Sequence, residues 1–172
     1  GDFGVVLGTN YTQMGVDTGA ASDNALTGTS GADMLYDVLG GDDTLTGGAG
    51  NDTLTGGAGT DVSLVYSNST LIFARDGSGK LTVTAEGTDT LTGVEVVRQM
   101  TATNPSTLVK QFIVVDGGPT SGGLTLDQAI NAAGTGDVVV TGGSLTITVE
   151  QANLMLTKGA SFHEEDTVTL SD

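Results

Sequence analysis

Four aspartates recur at near-constant spacing in a stretch that carries no Lys or Arg: Asp33, Asp43, Asp52 and Asp61. Each lies two residues after a glycine (Gly31, Gly41, Gly50, Gly59), and the first three lie two residues before a leucine (Leu35, Leu45, Leu54). The units read GTSGADMLY (28–36), VLGGDDTLT (38–46), GGAGNDTLT (47–55) and GGAGTDVSL (56–64). A weaker copy, GAASDNALT (19–27), has Asn24 in the aspartate position and Leu26 in the leucine position, and Asp37 is a single inserted residue. Carboxylates stacked at a fixed repeat repel one another and need a counter-ion. A hard cation with oxygen ligands suits aspartates and turn carbonyls. Calcium fits better than magnesium, because carbonyls of a bent turn make an irregular site with six or more ligands.

The elements that must position these acids follow from the same nine residues. Glycines at positions one, two and four open backbone angles closed to other residues, so the first six residues form a turn. The last three, such as Thr53-Leu54-Thr55, are extended, with one apolar side chain pointing inward. One unit is half a coil, and two make a full coil of turn, strand, turn, strand. The leucines then stack into a thin core between two parallel sheets.

Composition supports a repetitive β fold. The chain has 172 residues, 28 of them Gly, with 21 acids against 5 bases and a formal net charge of −16. The nine acids of residues 1–74 meet no base, so a cation would collect there. With no cysteine there is no disulfide framework, thiolate nucleophile or zinc–thiolate site. The charge argues against nucleic acid and anionic membranes, which call for clustered Lys and Arg. No apolar run approaches the ~20 residues of a membrane helix. The first residues lack the basic start and apolar core of a signal peptide.

Residues 28–64 resemble the glycine- and aspartate-rich nonapeptide repeats of RTX (repeats-in-toxin) proteins. The resemblance implies a mainly β fold, a right-handed parallel β-roll with a C-flanking β cap. It also implies calcium held between turns stacked on the same side, so that each repeat pairs with the next but one. Carried over by position, Asp33 pairs with Asp52 and Asp43 with Asp61. Carbonyls of Gly28, Ser30, Gly48 and Gly50 complete one shell, and those of Val38, Gly40, Gly57 and Gly59 the other. Asn24 is expected to give a neutral ligand to a third site with Asp43. Val38, Leu39 and Thr29 depart from the glycine pattern, Asp37 is expected to disturb the register, and Ser63 in the apolar position is expected to end the roll. An EF-hand is excluded, since no D-x-D-x-D-G loop ending in Glu is present.

The remaining chain divides by pattern into an N-terminal extension (1–18), the repeats (19–64), capping strands (65–100), a connector (101–123) and a second module (124–172). Residues 62–75 read as two strands around a polar turn at 67–69, and Asp76–Lys80 as a hairpin turn followed by a strand with Leu81 and Val83 inward. The segment GTDTLTGVEVVRQM (87–100) is similar to the sheet that often follows RTX repeats. Its Gly87, Asp89 and Leu91 also match repeat positions four, six and eight, so Asp89 is either part of a cap, the favoured reading, or a stray calcium ligand. Arg75 and Arg98 are expected to face solvent or pair with nearby acids. Within the connector one strand is expected at 109–115. The second module is a looser repeat of short helical turns and strands: LTLDQAINAA before DVVVT, ITVEQANLML before DTVTL. Ala129, Ile130 and Ala133, and Ala152, Met155 and Leu156, are its expected buried helix faces. This pattern resembles modules of large bacterial secreted and surface proteins, and the chain reads as part of a longer one.

No catalytic constellation emerges. His163, the one histidine, lies in SFHEED, which reads as a solvated loop. No G-x-S-x-G elbow or phosphate-binding glycine loop is present. The expectation is a non-enzymatic module whose folding is driven by calcium. It would lie outside the cell or on a bacterial surface, within a surface, adhesin or surface-layer-like protein. The resemblance implies export by the type I secretion machinery, and other surface proteins or glycans are candidate partners. Two alternatives are the C-terminal module of a type I secreted enzyme or toxin, and a carbohydrate-binding module, which the scarcity of aromatic residues weakens.

Overall fold

The computed structural model describes residues 3–4, 15–16, 22–37, 40–103, 106–116 and 123–171. Val38, Pro105, Pro119 and most of the 1–18 extension lie outside the described residues. Strands β1 (Phe3–Gly4) and β2 (Gly15–Val16) pair antiparallel.

The repeats supply β3 (Ala25–Thr27), β4 (Met34–Tyr36), β5 (Thr44–Thr46), β6 (Thr53–Thr55) and β7 (Val62–Tyr66). Successive strands alternate between two sheets. β3, β5 and β7 pair in parallel in one, β4 and β6 in the other. Each repeat thus lies beside the next but one, as expected. The register sets leucine on leucine, Leu26 beside Leu45 and Leu35 beside Leu54. Threonines flank Leu45 and Leu54 because alternate side chains of a strand point to opposite faces. Asp37 leaves this strand register intact, contrary to expectation. It takes the place that Gly28, Gly47 and Gly56 hold after their strands, and Asp43 still meets its own rung, donating its N–H to Asp61.

Ser63 does not end the stack, which corrects the second expectation. It lies fully buried beside Leu45, and the apolar role passes one pleat onward to Val65. β7 then pairs in parallel with β11 (Val96–Met100). Between them, β8 (Ile72–Arg75), β9 (Leu81–Thr84) and β10 (Thr88–Thr92) form an antiparallel meander. β10 also pairs in parallel with β6, with Leu91 beside Leu54. The expected hairpin turn is closed by the Asp76 carboxylate, which accepts from the Ser78 and Lys80 N–H groups.

β12 (Leu108–Val114), inside the segment read as a connector, joins the two halves of the chain. It runs antiparallel to β11 and parallel to β13 (Val138–Val140), which pairs with β15 (Ser161–Phe162). The larger sheet has the order β15-β13-β12-β11-β7-β5-β3, the smaller β4-β6-β10-β9-β8. One core, with Leu35, Leu45, Leu54, Leu81, Leu91, Val97 and Phe112, draws on both sheets. A second core sets Val96, Ile113 and Val139 against helix residues Ala129, Ile130, Ala133 and Met155.

Those helices are α1 (Leu126–Ala132) and α2 (Val149–Lys158). Both begin with a capping box, Thr125 with Gln128 and Thr148 with Gln151, each pair satisfying two N-terminal N–H groups reciprocally. β14 (Ser144–Ile147) pairs in parallel with β16 (Thr167–Leu170). The second repeat is regular: Ser144 lies beside Thr167 and Val138 beside Ser161, the same offset that separates the two caps. Met155 is buried as expected, but Leu156, expected on the same face, is 79% exposed, and Leu154 packs on the core in its place.

His163 is likewise not in a solvated loop. Its N–H donates to the Val139 carbonyl, which draws the residue onto the sheet. The ring packs edge-on to Phe73 at 5.2 Å, while Glu164 and Glu165 take the solvent side. Arg75 is paired: it donates to Asp116 (2.7 Å) and to the Thr141 carbonyl (2.8 Å). Arg98 donates to Gln111 at the surface. Among the described residues, no helix is long and apolar enough to cross a membrane.

Candidate metal centre

The turns that link the two sheets stack in two columns. In one, the turns end at Asp33 and Asp52, and Asp89 of β10 lies on the next rung; in the other, they end at Asp43, Asp61 and Glu95, with Asn24 on the rung before. A repeating hydrogen bond ties each column. The Asp33 N–H donates to Asp52 Oδ1 (2.8 Å), and the Asp52 N–H to Asp89 Oδ1 (3.0 Å). Across the molecule Asn24 donates to Asp43 Oδ1 (2.8 Å), Asp43 to Asp61 Oδ1 (2.8 Å), and Asp61 to Glu95 Oε2 (2.7 Å). The preceding position runs the opposite way. Asp42 donates its N–H to Asp23 (2.9 Å), Thr60 to Asp42 (2.8 Å) and Thr88 to Asn51 (2.8 Å).

One carboxylate oxygen of Asp43, Asp52, Asp61, Asp89 and Glu95 is therefore used to hold the neighbouring rung. The other oxygen decides the chemistry. Asp43 Oδ2, Asp52 Oδ2, Asp61 Oδ2 and Glu95 Oε1 are all buried and accept no hydrogen bond. Asp43 and Asp61 are 0% exposed, and Asp52 and Glu95 1%, although carboxylates are rarely buried unless they are paired. A buried carboxylate oxygen without a donor costs too much to stand alone. Asp33 differs. Its Oδ2 accepts from the Thr29 N–H (2.6 Å) and hydroxyl (3.0 Å), so a local turn satisfies it.

The glycines explain how carbonyls and carboxylates come so close. Gly50 has φ +122°, and a Cβ there would lie 2.6 Å from the Gly31 carbonyl of the turn below, so no larger residue fits. A Cβ on Gly56 would collide with both the Asp61 carboxylate and the Gly93 carbonyl. Of the residues the resemblance singled out, Gly28, Ser30, Gly48 and Gly50 fall in one pair of stacked turns, with Asp33 and Asp52. Gly40, Gly57 and Gly59 fall in the other column with Asp43 and Asp61, where Asp37 adds a further acid. Val38 lies outside the described residues. Asn24 donates its side-chain N–H to the Ser22 carbonyl (2.8 Å) and to Asp37 (3.3 Å), at the edge of the second column.

The acids pay electrostatically for this arrangement. Burial, then repulsion from stacked neighbours, outweighs the backbone hydrogen bonds that favour the ionised form. Asp61 is pushed up to about 6, chiefly by desolvation and then by Asp43, Asp37 and Asp42. Asp89 and Glu95 rise to about 7, and Asp43 and Asp52 are raised as well. A divalent cation beside the free oxygens would reverse both effects. Among the described residues no three acids or histidines form a metal-holding group. Any site here is one or two carboxylates completed by turn carbonyls and water, which suits calcium and not zinc.

Residues 38–62 match the family model of the RTX calcium-binding nonapeptide repeat, a model of four copies. RTX nonapeptide repeats bind calcium ions. The matched stretch covers Asp43, Asp52 and Asp61, the aspartates whose Oδ2 is buried without a donor. RTX repeats occur in secreted bacterial proteins, so the segment suggests a calcium-binding module of a secreted, extracellular protein. No curated protein and no solved structure matches the chain.

Asp89 and Glu95 lie beyond the matched stretch. Asp89 occupies the next rung after Asp52, so the strand read as a cap is also a continuation of the ladder. Glu95 was not anticipated at all. Its signal is Thr90-Leu91-Thr92-Gly93, which repeats Thr53-Leu54-Thr55-Gly56, but the turn that follows is only Gly93-Val94-Glu95 and its acid is a glutamate.

Proposed function

We propose that this chain is a non-catalytic module that folds on calcium, a right-handed parallel β-roll whose C-terminal end is covered by residues 65–100. The four buried, unpartnered carboxylate oxygens of Asp43, Asp52, Asp61 and Glu95 carry the reading. Calcium would be held by those aspartates with carbonyls of the stacked glycine turns, and its role is to neutralise charge that otherwise opposes closure. In a calcium-poor cytosol the chain stays open, which suits export as an unfolded chain by a type I machine. Extracellular sites of this class bind at roughly 10⁻⁴–10⁻³ M, matched to millimolar calcium outside the cell.

The parent is best read as a structural or adhesive surface protein. The stacked strand–helix repeat of residues 124–171 favours that reading, because an array of modules is what an extended surface protein needs. The test is to titrate calcium into the calcium-stripped chain and follow far-ultraviolet circular dichroism, with magnesium as control. A cooperative gain of β signal with calcium alone is the expected result. A spectrum already folded without calcium, and unmoved by it, refutes the folding switch.

A further inference from the structure

We propose that Glu95 closes a further calcium site against Asp61, one rung beyond the last nonapeptide. The inference rests on the calcium reading of the repeats and extends it to a residue outside them.

Two free oxygens define the site. Glu95 Oε1 is buried with no hydrogen-bond partner, and so is Asp61 Oδ2. The Glu95 carboxylate is anchored on the Asp61 backbone, since Glu95 Oε2 accepts the Asp61 N–H at 2.7 Å. The surroundings repeat those of an internal rung. At Gly28, the space a Cβ would fill is bounded by the Gly47 carbonyl and by Asp33 Oδ2. At Gly56, the same space is bounded by the Gly93 carbonyl and by Asp61 Oδ2. The three-residue turn Gly93-Val94-Glu95 thus delivers a carbonyl and a carboxylate where a nonapeptide turn uses six residues. The extra methylene of glutamate gives the shorter turn the necessary reach.

Glu95 also ties this rung to the rest of the molecule. The N–H groups of Glu95 and Val96 both donate to the Asp61 carbonyl (3.1 and 3.0 Å). The Glu95 carbonyl accepts from Val114 of β12 at 2.8 Å. Arg75 is committed to Asp116 and to backbone carbonyls. A cation at Glu95 therefore neutralises the last acid of the column and clamps the repeats to the sheet that carries the second module.

A protonated glutamate would leave the same hydrogen-bond pattern, and the experiment separates the two. Bound calcium is counted per chain by competition with a chromophoric chelator for the full chain, Glu95→Gln and Asp52→Asn. Glutamine has the shape of a protonated glutamate. Glu95→Gln is expected to bind one calcium fewer, and Glu95→Asp to keep the count with affinity for that ion at least tenfold weaker. If Glu95→Gln does not fold in calcium, Glu95→Asp alone decides by that weakening. An unchanged count and affinity in both Glu95 variants, while Asp52→Asn loses an ion, overturns the Glu95 site and leaves the repeats intact. If Asp52→Asn also binds the full count, the calcium reading of the repeats fails with it.

Discussion

Replacing Asp61 with Asn should have opposite effects with and without calcium. The side chain keeps its shape, and Oδ1 can still accept the Asp43 N–H at 2.8 Å. What is lost is a buried charge. Folding raises the Asp61 pKa from 3.8 to about 6. Each unit corresponds to about 1.4 kcal/mol, so ionising this carboxylate in the folded chain costs about 3 kcal/mol at neutral pH, or about 1–2 after allowance for solvent screening. Asp61→Asn should therefore be more stable than the parent by about 1–2 kcal/mol in calcium-stripped buffer at pH 7.5. Calcium at about 10 mM, with sites of about 10⁻⁴–10⁻³ M, stabilises the folded chain by about 1.4–2.7 kcal/mol per site. Asp61 borders two rungs, Asp43 on one side and Glu95 on the other, so the variant should lose about 3–5 kcal/mol of that increment. Urea denaturation followed by circular dichroism, with and without calcium, measures both quantities. A variant less stable than the parent without calcium, with the calcium increment intact, would mean that Asp61 acts as a plain structural side chain and would refute the argument.

The same raised pKa values set a pH dependence. Glu95 and Asp89, at about 7, and Asp61, at about 6, hold more protons folded than unfolded, so the calcium-stripped chain is most stable near pH 4 and loses stability as pH rises to about 7. Calcium affinity should rise over that same window, because binding displaces these protons; urea midpoints that climb with pH in calcium-free buffer contradict this. Gly50→Ala forces φ +122° on a residue with a Cβ and drives it to 2.6 Å from the Gly31 carbonyl. It should cost more than about 2 kcal/mol even in saturating calcium, read as a lowered thermal midpoint. Leu54→Ala removes a fully buried core side chain and should cost about 2–5 kcal/mol. A loss below 1 kcal/mol in the same thermal assay would show that the leucine stack does not carry the coil.

The repeat was legible because one physical unit is written in one local stretch of chain. Gly50, Asp52 and Leu54 each announce a backbone angle, a charge and a core position, and the strands β3 to β7 follow that frame. Pairing of each repeat with the next but one followed from the same frame. What lay hidden was set by contacts distant in sequence. His163 sits among polar residues, yet Phe73 and Phe112, from two other strands, bury it. Leu156 reads as apolar helix face, but only Leu154 and Met155 of that turn meet the sheet. Ser63 seemed to break the stack, since the strand that continues it, β11, lies more than thirty residues on. Glu95 was missed for the same reason: its partner, Asp61, is 34 residues away, beyond a three-stranded meander that no periodicity crosses.

The direction of the hydrogen bonds gives the acids a second role besides charge. Asp43, Asp52, Asp61, Asp89 and Glu95 each accept the N–H of the rung before, so Asp52 fixes Asp33, and Asp89 fixes Asp52. The preceding position points the other way, Asp23 holding Asp42 and Asp42 holding Thr60. The turns of Asp43, Asp52 and Asp61 are thus tied to both neighbours, so that ordering one rung favours ordering the next. Neutralising the free oxygen of one acid stabilises the carboxylate that positions the adjacent backbone, which in turn shapes the adjacent site. Coupling of this nearest-neighbour kind makes binding cooperative even when each site alone is weak. Glu95 differs from the repeats in sequence but not in placement. Among the described residues no later rung holds Asp89 and Glu95, and the antiparallel partners of β10 and β11, β9 and β12, border that end of the columns.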